Sequence, residues 1–190
     1  MIRKTLGATK NATFAVLLPN IRNRGLPTPN GTGFFVSPDG WFITAAHVVT
    51  ENGSSNGPVR KDIGQGWLQQ ELGGQNGFCQ NVALELVDPE TDFALLKCDF
   101  SARSNKAWLV GKSNFPYIEV SSRPLEEAEP VYAFGYPLSE GTLVVSGGPV
   151  TIGHIALCPR VTSAIVASTV EATKMLTTSG DSQSYCSTRA

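Results

Sequence analysis

Cysteine is scarce in this 190-residue chain, with four residues, Cys79, Cys98, Cys158 and Cys186, at spacings of 19, 60 and 28 and no Cys-x-x-Cys pair. A zinc site drawn from His154 and Cys158 would lack the paired ligands that such sites use. An even count permits two disulfides, yet a chain of this size can build a core without them, so buried free thiols are the expectation. Charge of one sign is lacking too. Fifteen Lys and Arg against 16 Asp and Glu give a formal net charge of -1, with the basic residues scattered, which supplies no electrostatic ground for a nucleic-acid partner or an acidic membrane surface. No apolar run approaches the roughly 20 residues of a membrane-spanning helix. Met1-Ile2-Arg3-Lys4-Thr5-Leu6-Gly7-Ala8 has the charged beginning of a signal peptide, but Thr9-Lys10-Asn11-Ala12-Thr13 interrupts any apolar core. The expectation is a soluble intracellular chain with no clear signal peptide. No internal repeat or low-complexity tract occurs.

What is present points to strands. A hydrophobic content of 41% with 19 Gly and 12 Pro suits a turn-rich, mostly β protein, long enough for one domain or two small barrels. Phe14 to Leu18 is a short apolar run, and Phe34 to Val36 and Trp41 to Thr44 flank Ser37-Pro38-Asp39-Gly40, a tight-turn sequence, as in a β-hairpin. Glu51 to Gln80 is polar and reads as surface loops with one strand around Trp67 and Leu68. Val82 to Val87 and Phe93 to Cys98 bracket a turn at Asp88-Pro89-Glu90-Thr91. Residues 101–129 read as a linker between a first region, 1–100, and a second, 130–190. In that second region Val131 to Tyr136, Thr142 to Val145, Val150 to Leu157, Val161 to Thr169 and Lys174 to Thr178 are strand-length runs without an amphipathic helix between them, which implies an antiparallel sheet or barrel.

Three stretches carry a family resemblance. Gly31-Thr32-Gly33-Phe34 running into Thr44-Ala45-Ala46-His47 resembles the histidine segment of the trypsin/chymotrypsin-like serine proteases, in particular their HtrA-like branch. Thr91-Asp92-Phe93-Ala94-Leu95-Leu96 resembles the segment around that family's aspartate, and Val131-Tyr132-Ala133-Phe134-Gly135-Tyr136-Pro137 is a weaker third match in the same order. The resemblance implies an all-β fold of two antiparallel β-barrels, the second incomplete, and peptide-bond hydrolysis of a polypeptide substrate with no cofactor. By that resemblance His47 is the general base and Asp92 its orienting carboxylate, in a cleft between the barrels. Their separation of 45 residues fits opposite ends of one small barrel. Asp88 competes with Asp92, but it precedes Pro89, which favours an exposed turn.

The family's nucleophile loop reads Gly-Asn/Asp-Ser-Gly-Gly-Pro. Ser146-Gly147-Gly148-Pro149 reproduces its second half, making Ser146 a candidate nucleophile, yet Val144 and Val145 stand where the family has Gly and Asn or Asp. A β-branched residue resists the backbone conformation that forms the oxyanion hole. Ser179-Gly180-Asp181-Ser182 has the residue types in scrambled order, and Cys186 is followed by Ser187-Thr188 rather than two glycines. A register in which Gly153-His154-Ile155 occupies a strand before the loop would put that loop just past Ala190. The expectation is therefore a chain that ends before its nucleophile and is inactive as it stands. The alternatives are a protease using Ser146 and a non-catalytic binding or scaffolding module of the same fold. Incomplete strands in the second half imply self-association there. An unrelated lectin-like or viral-coat β-barrel would leave the His and Asp motifs as coincidences.

Overall fold

The structure is a computed structural model that describes residues 2–19, 27–72, 75–102, 105, 112–137, 140–145 and 151–166. It opens with a helix, α1 (Ile2–Ala12), over the residues that resemble the start of a signal peptide. Strands β1 (Thr13–Pro19), β2 (Pro27–Phe35) and β3 (Trp41–Thr44) follow, then a one-turn helix α2 (Ala46–Val49). Next come β4 (Trp67–Leu72), β5 (Gln75–Cys79), β6 (Val82–Asp88), β7 (Phe93–Cys98), β8 (Pro130–Gly135), β9 (Glu140–Val145), β10 (Thr151–Ala156) and β11 (Arg160–Ile165). The all-β class expected from the sequence is the class observed.

Seven strands form one antiparallel sheet in the order β5-β4-β1-β2-β3-β7-β6. Its two edge strands supply Cys79 and Val82 to the same buried cluster as Phe14, Phe35, Phe42, Leu68 and Leu96. The sheet therefore wraps around a core, although among the described residues no ladder joins β5 to β6. Two-stranded sheets β9-β10 and β8-β11 complete the described strands.

Strand β1 is buried from Thr13 to Leu18 because both of its faces are covered. Phe14, Val16 and Leu18 point into the main core, while Ala15 and Leu17 join Tyr136 and Leu157 in a second cluster. Alternation survives in the side-chain directions and vanishes from the letters. The hairpin between β2 and β3 closes where Ser37 Oγ accepts the Trp41 N–H at 3.0 Å and Gly40 takes φ 97°, a left-handed value that a β-carbon would oppose. Phe35 then meets Phe42 edge-on at 5.0 Å and stacks on Phe115 at 4.7 Å. Phe115 lies within the stretch read as linker, and it is part of the main core.

The chain divides into two compact units, Met1–Ser121 with Ala133–Thr162, and Ser122–Tyr132 with Ser163–Ala190. In the second, the Glu129 carboxylate pairs with Arg123 and accepts the Glu126 N–H at 3.0 Å, while Val166 exchanges backbone hydrogen bonds with Ala128 and Glu129. Cys79 and Cys98 are buried free thiols, as expected, and burial pushes Cys98 up to about 12, whereas Cys158 is exposed. The expected strand at Lys174 to Thr178 lies outside the described residues.

Candidate active site

The β3-β7 ladder decides which residues meet. Thr44 pairs with Ala94 in antiparallel register, so two residues further along each strand Ala46 comes opposite Asp92. The Ala46 N–H donates to the Asp92 carbonyl at 3.0 Å, which continues the ladder past the ends of both strands. His47 and Asp92 thus lie at the same end of neighbouring strands, not at opposite ends of a barrel. Antiparallel pairing, which joins the exit of one strand to the entry of its neighbour, is the reason.

One helical turn then sets the imidazole. In α2 the side chains of Ala46, Val48 and Val49 are buried and His47 faces outward. Val48 packs on Gly31, where a β-carbon would overlap its side chain, and Asn30 Nδ2 donates to the Val48 carbonyl at 2.5 Å. The missing β-carbon of Gly31 is what permits this close approach. The histidine is therefore carried by a turn pinned against β2, two residues beyond Ala45, where β3 has ended and the turn begins.

Asp92 has φ 53°, a left-handed backbone that aspartate tolerates better than most residues. From that bend its carboxylate reaches back over α2. Oδ1 accepts the His47 N–H at 2.9 Å, and Oδ2 lies 2.7 Å from His47 Nδ1. Ser55 Oγ donates to Oδ1 at 2.7 Å. The backbone N–H of His47, then the Ser55 hydroxyl, then the His47 ring hold the carboxyl down from its ordinary 3.8 to about 2. An ionised Asp92 accepts only, so Nδ1 carries the proton and Nε2 presents its lone pair outward. Both side chains are partly exposed, 46% for His47 and 41% for Asp92. The pair is held by hydrogen bonds rather than by burial.

Asp88, the competing carboxylate, has a different task. Its Oδ1 accepts the Glu90 N–H at 3.0 Å and its Oδ2 accepts the Thr91 hydroxyl at 2.6 Å, so it caps the turn that delivers Asp92. Among the described residues no hydroxyl or thiol hydrogen-bonds His47 Nε2, and no group of three His, Cys, Asp or Glu is placed to hold a metal ion. No helix of the described residues is long and apolar enough to cross a membrane. Ser146, Ser182 and Cys186 lie outside the described residues. Gly180-Asp181-Ser182 is not scrambled but matches, in order, the first three positions of Gly-Asn/Asp-Ser-Gly-Gly-Pro, with Gln183-Ser184 in place of the glycines. Ser55 was missed altogether, since a serine in a polar loop gives no signal of its own.

A family model described as trypsin-like peptidase domain matches residues 31–188. Among curated proteins the chain is similar to the uncharacterized protein y4bJ of Sinorhizobium fredii, 30% identical over 72% of the chain and 17% of the relative. It is also similar to serine protease HTR4 of Rattus norvegicus, 30% identical over 67% of the chain and 21% of the relative. Serine protease HTRA4 of Mus musculus is 29% identical over the same shares. The chain spans about a fifth of the length of these relatives.

Proposed function

The chain belongs to the trypsin-like peptidase family, and on that premise we propose that it is a serine-protease-type domain in which His47 is the general base, Asp92 fixes its tautomer, and the substrate is a polypeptide. One observation carries the reading. A single carboxylate receives both the backbone N–H and the ring Nδ1 of the same histidine, at 2.9 and 2.7 Å.

Chemistry follows from that arrangement. A serine hydroxyl at Nε2 would lose its proton to the imidazole as its oxygen attacks the scissile carbonyl, and the imidazolium so formed would face an ionised Asp92 across 2.7 Å. Nε2 would then return the proton to the leaving amine, and water would hydrolyse the acyl-serine by the same path in reverse. Two serines compete for the role. Ser146 heads Ser-Gly-Gly-Pro and Ser182 ends Gly-Asp-Ser, so each holds half of the family's loop.

A second reading is favoured by that division. Neither serine stands in the complete loop, and a non-catalytic binding module would keep the His47–Asp92 pair without acyl transfer. Labelling with a fluorophosphonate and locating the adduct by mass spectrometry separates the readings. The proposal expects an adduct on Ser146 or Ser182, lost in the corresponding Ser146→Ala or Ser182→Ala variant. An unlabelled chain with folded spectra supports the binding module. Self-association through the second half is also proposed, supported by exposed Tyr132 and Leu125, and a monomer by sedimentation velocity removes it.

A further inference from the structure

We propose that Ser55 is a positioning residue whose hydroxyl locks the Asp92 carboxylate in the orientation that receives the His47 imidazole. The inference rests on the general-base reading of His47 and adds a fourth side chain to it.

The need arises from exposure. With 41% of its side chain accessible, Asp92 lacks the packed surroundings that would stop its carboxylate from turning about its broad terminal torsion. Its two oxygens have distinct duties. Oδ2 serves the ring, while Oδ1 takes the His47 N–H at 2.9 Å and the Ser55 hydroxyl at 2.7 Å. Two donors converging on Oδ1 from different segments fix the carboxylate plane, and a hydroxyl donating to an ionised oxygen makes one of the stronger kinds of hydrogen bond.

The loop bearing Ser55 is built to hold it still. Its base closes through the Thr50–Val59 bridge, the Glu51 N–H on the Pro58 carbonyl at 2.9 Å and the Arg60 N–H on the Val49 carbonyl at 3.0 Å. Its tip is tied where buried Thr50 donates its hydroxyl to the Ser54 carbonyl at 2.6 Å and the Gly57 N–H donates to the same oxygen at 2.8 Å. Ser54, one residue before Ser55, is thereby anchored twice. Because Thr50 directly follows α2, the loop starts from the turn that carries His47 and folds back onto its partner. Across α2, β7 and this loop, His47 is the titratable group whose charge acts on Asp92, whereas Glu51 acts on Arg60.

The test compares the whole chain with its Ser55→Ala and Ser55→Thr variants by two readouts. Carbon NMR of the Asp92 carboxyl should show its titration midpoint rising toward the ordinary aspartate value in Ser55→Ala and staying low in Ser55→Thr. The maximal rate of fluorophosphonate labelling should fall about tenfold in Ser55→Ala, with the half-saturating probe concentration unchanged, and recover in Ser55→Thr. An unmoved midpoint overturns the proposal, and so does a moved midpoint with an unchanged labelling rate, which would leave Ser55 a structural bond only. Absence of label in the unmodified chain defeats the general-base reading instead, and the carboxyl titration then still decides whether Ser55 orients Asp92.

Discussion

Strand β7 alternates half-buried and buried residues along its length, whereas β8 is exposed or half-buried throughout. Both are six-residue strands of mainly apolar letters. β7 lies between β3 and β6 with its inward side chains in the main core, and β8 pairs with β11 in a two-stranded sheet. A strand anchored on both edges and one face fixes the residue at its entry, which for β7 is Asp92. The part of the molecule with base and carboxylate is therefore held by ladders and core, whereas among the described residues β8 has a ladder on one edge only.

The largest effect expected is chemical. Asp92→Asn replaces an acceptor with an amide that can donate to Nδ1 and so favours the wrong tautomer, and in the family's mechanism that change costs on the order of 10⁴ in rate. Fluorophosphonate labelling of the variant should fall to near background while its far-UV spectrum stays native. Next is the core under β3. Phe35→Ala removes a ring in contact with Phe14, Phe42 and Phe115 and should lower unfolding free energy by about 3–5 kcal/mol in urea titration. Tyr132→Ala in β8, with the residue 51% exposed, should change it by less than about 0.5 kcal/mol. Equal losses would erase the contrast between the main core, to which β7 belongs, and β8.

An effect smaller than that of Phe35→Ala is expected from Gly31→Ala, whose β-carbon overlaps the Val48 side chain. Overpacking there should cost about 1–3 kcal/mol, and because Val48 follows His47, the imidazole resonances should shift with it. Acid should produce the smallest change. Asp92 falls from 3.8 to about 2 on folding, so its contribution is complete above the unfolded value and is lost as pH falls through about 2. Its exposure keeps that contribution modest. Stability curves of the parent and Asp92→Asn should converge toward pH 2 and separate above pH 4.

The hairpin, His47 and the choice of Asp92 over Asp88 were legible because each leaves a local mark: a Pro-Asp-Gly turn, small residues before a histidine, a proline after the rejected aspartate. Their pairing was implied by the resemblance, but the way they meet was not. It depends on the register Thr44↔Ala94, which no local pattern encodes, and the opposite-ends expectation failed for that reason. The hairpin of β4 and β5 reads as loop with one strand in the sequence because its paired residues Gln69-Gln70-Glu71 and Asn76-Gly77-Phe78 are mostly polar or glycine. Strands at a sheet edge can be polar and still pair through their backbones. Helix α1 was missed since Ile2–Ala12 has few apolar residues to form a stripe.

The central claim is that Asp92 holds the proton of His47 on Nδ1 and leaves Nε2 free to accept. Proton–nitrogen NMR of the imidazole near neutral pH tests it most directly. A far-downfield proton coupled to Nδ1, present in the parent chain and abolished in Asp92→Asn, is the expected result. A neutral ring protonated on Nε2, or an Nδ1 resonance indifferent to Asp92→Asn, would contradict the account.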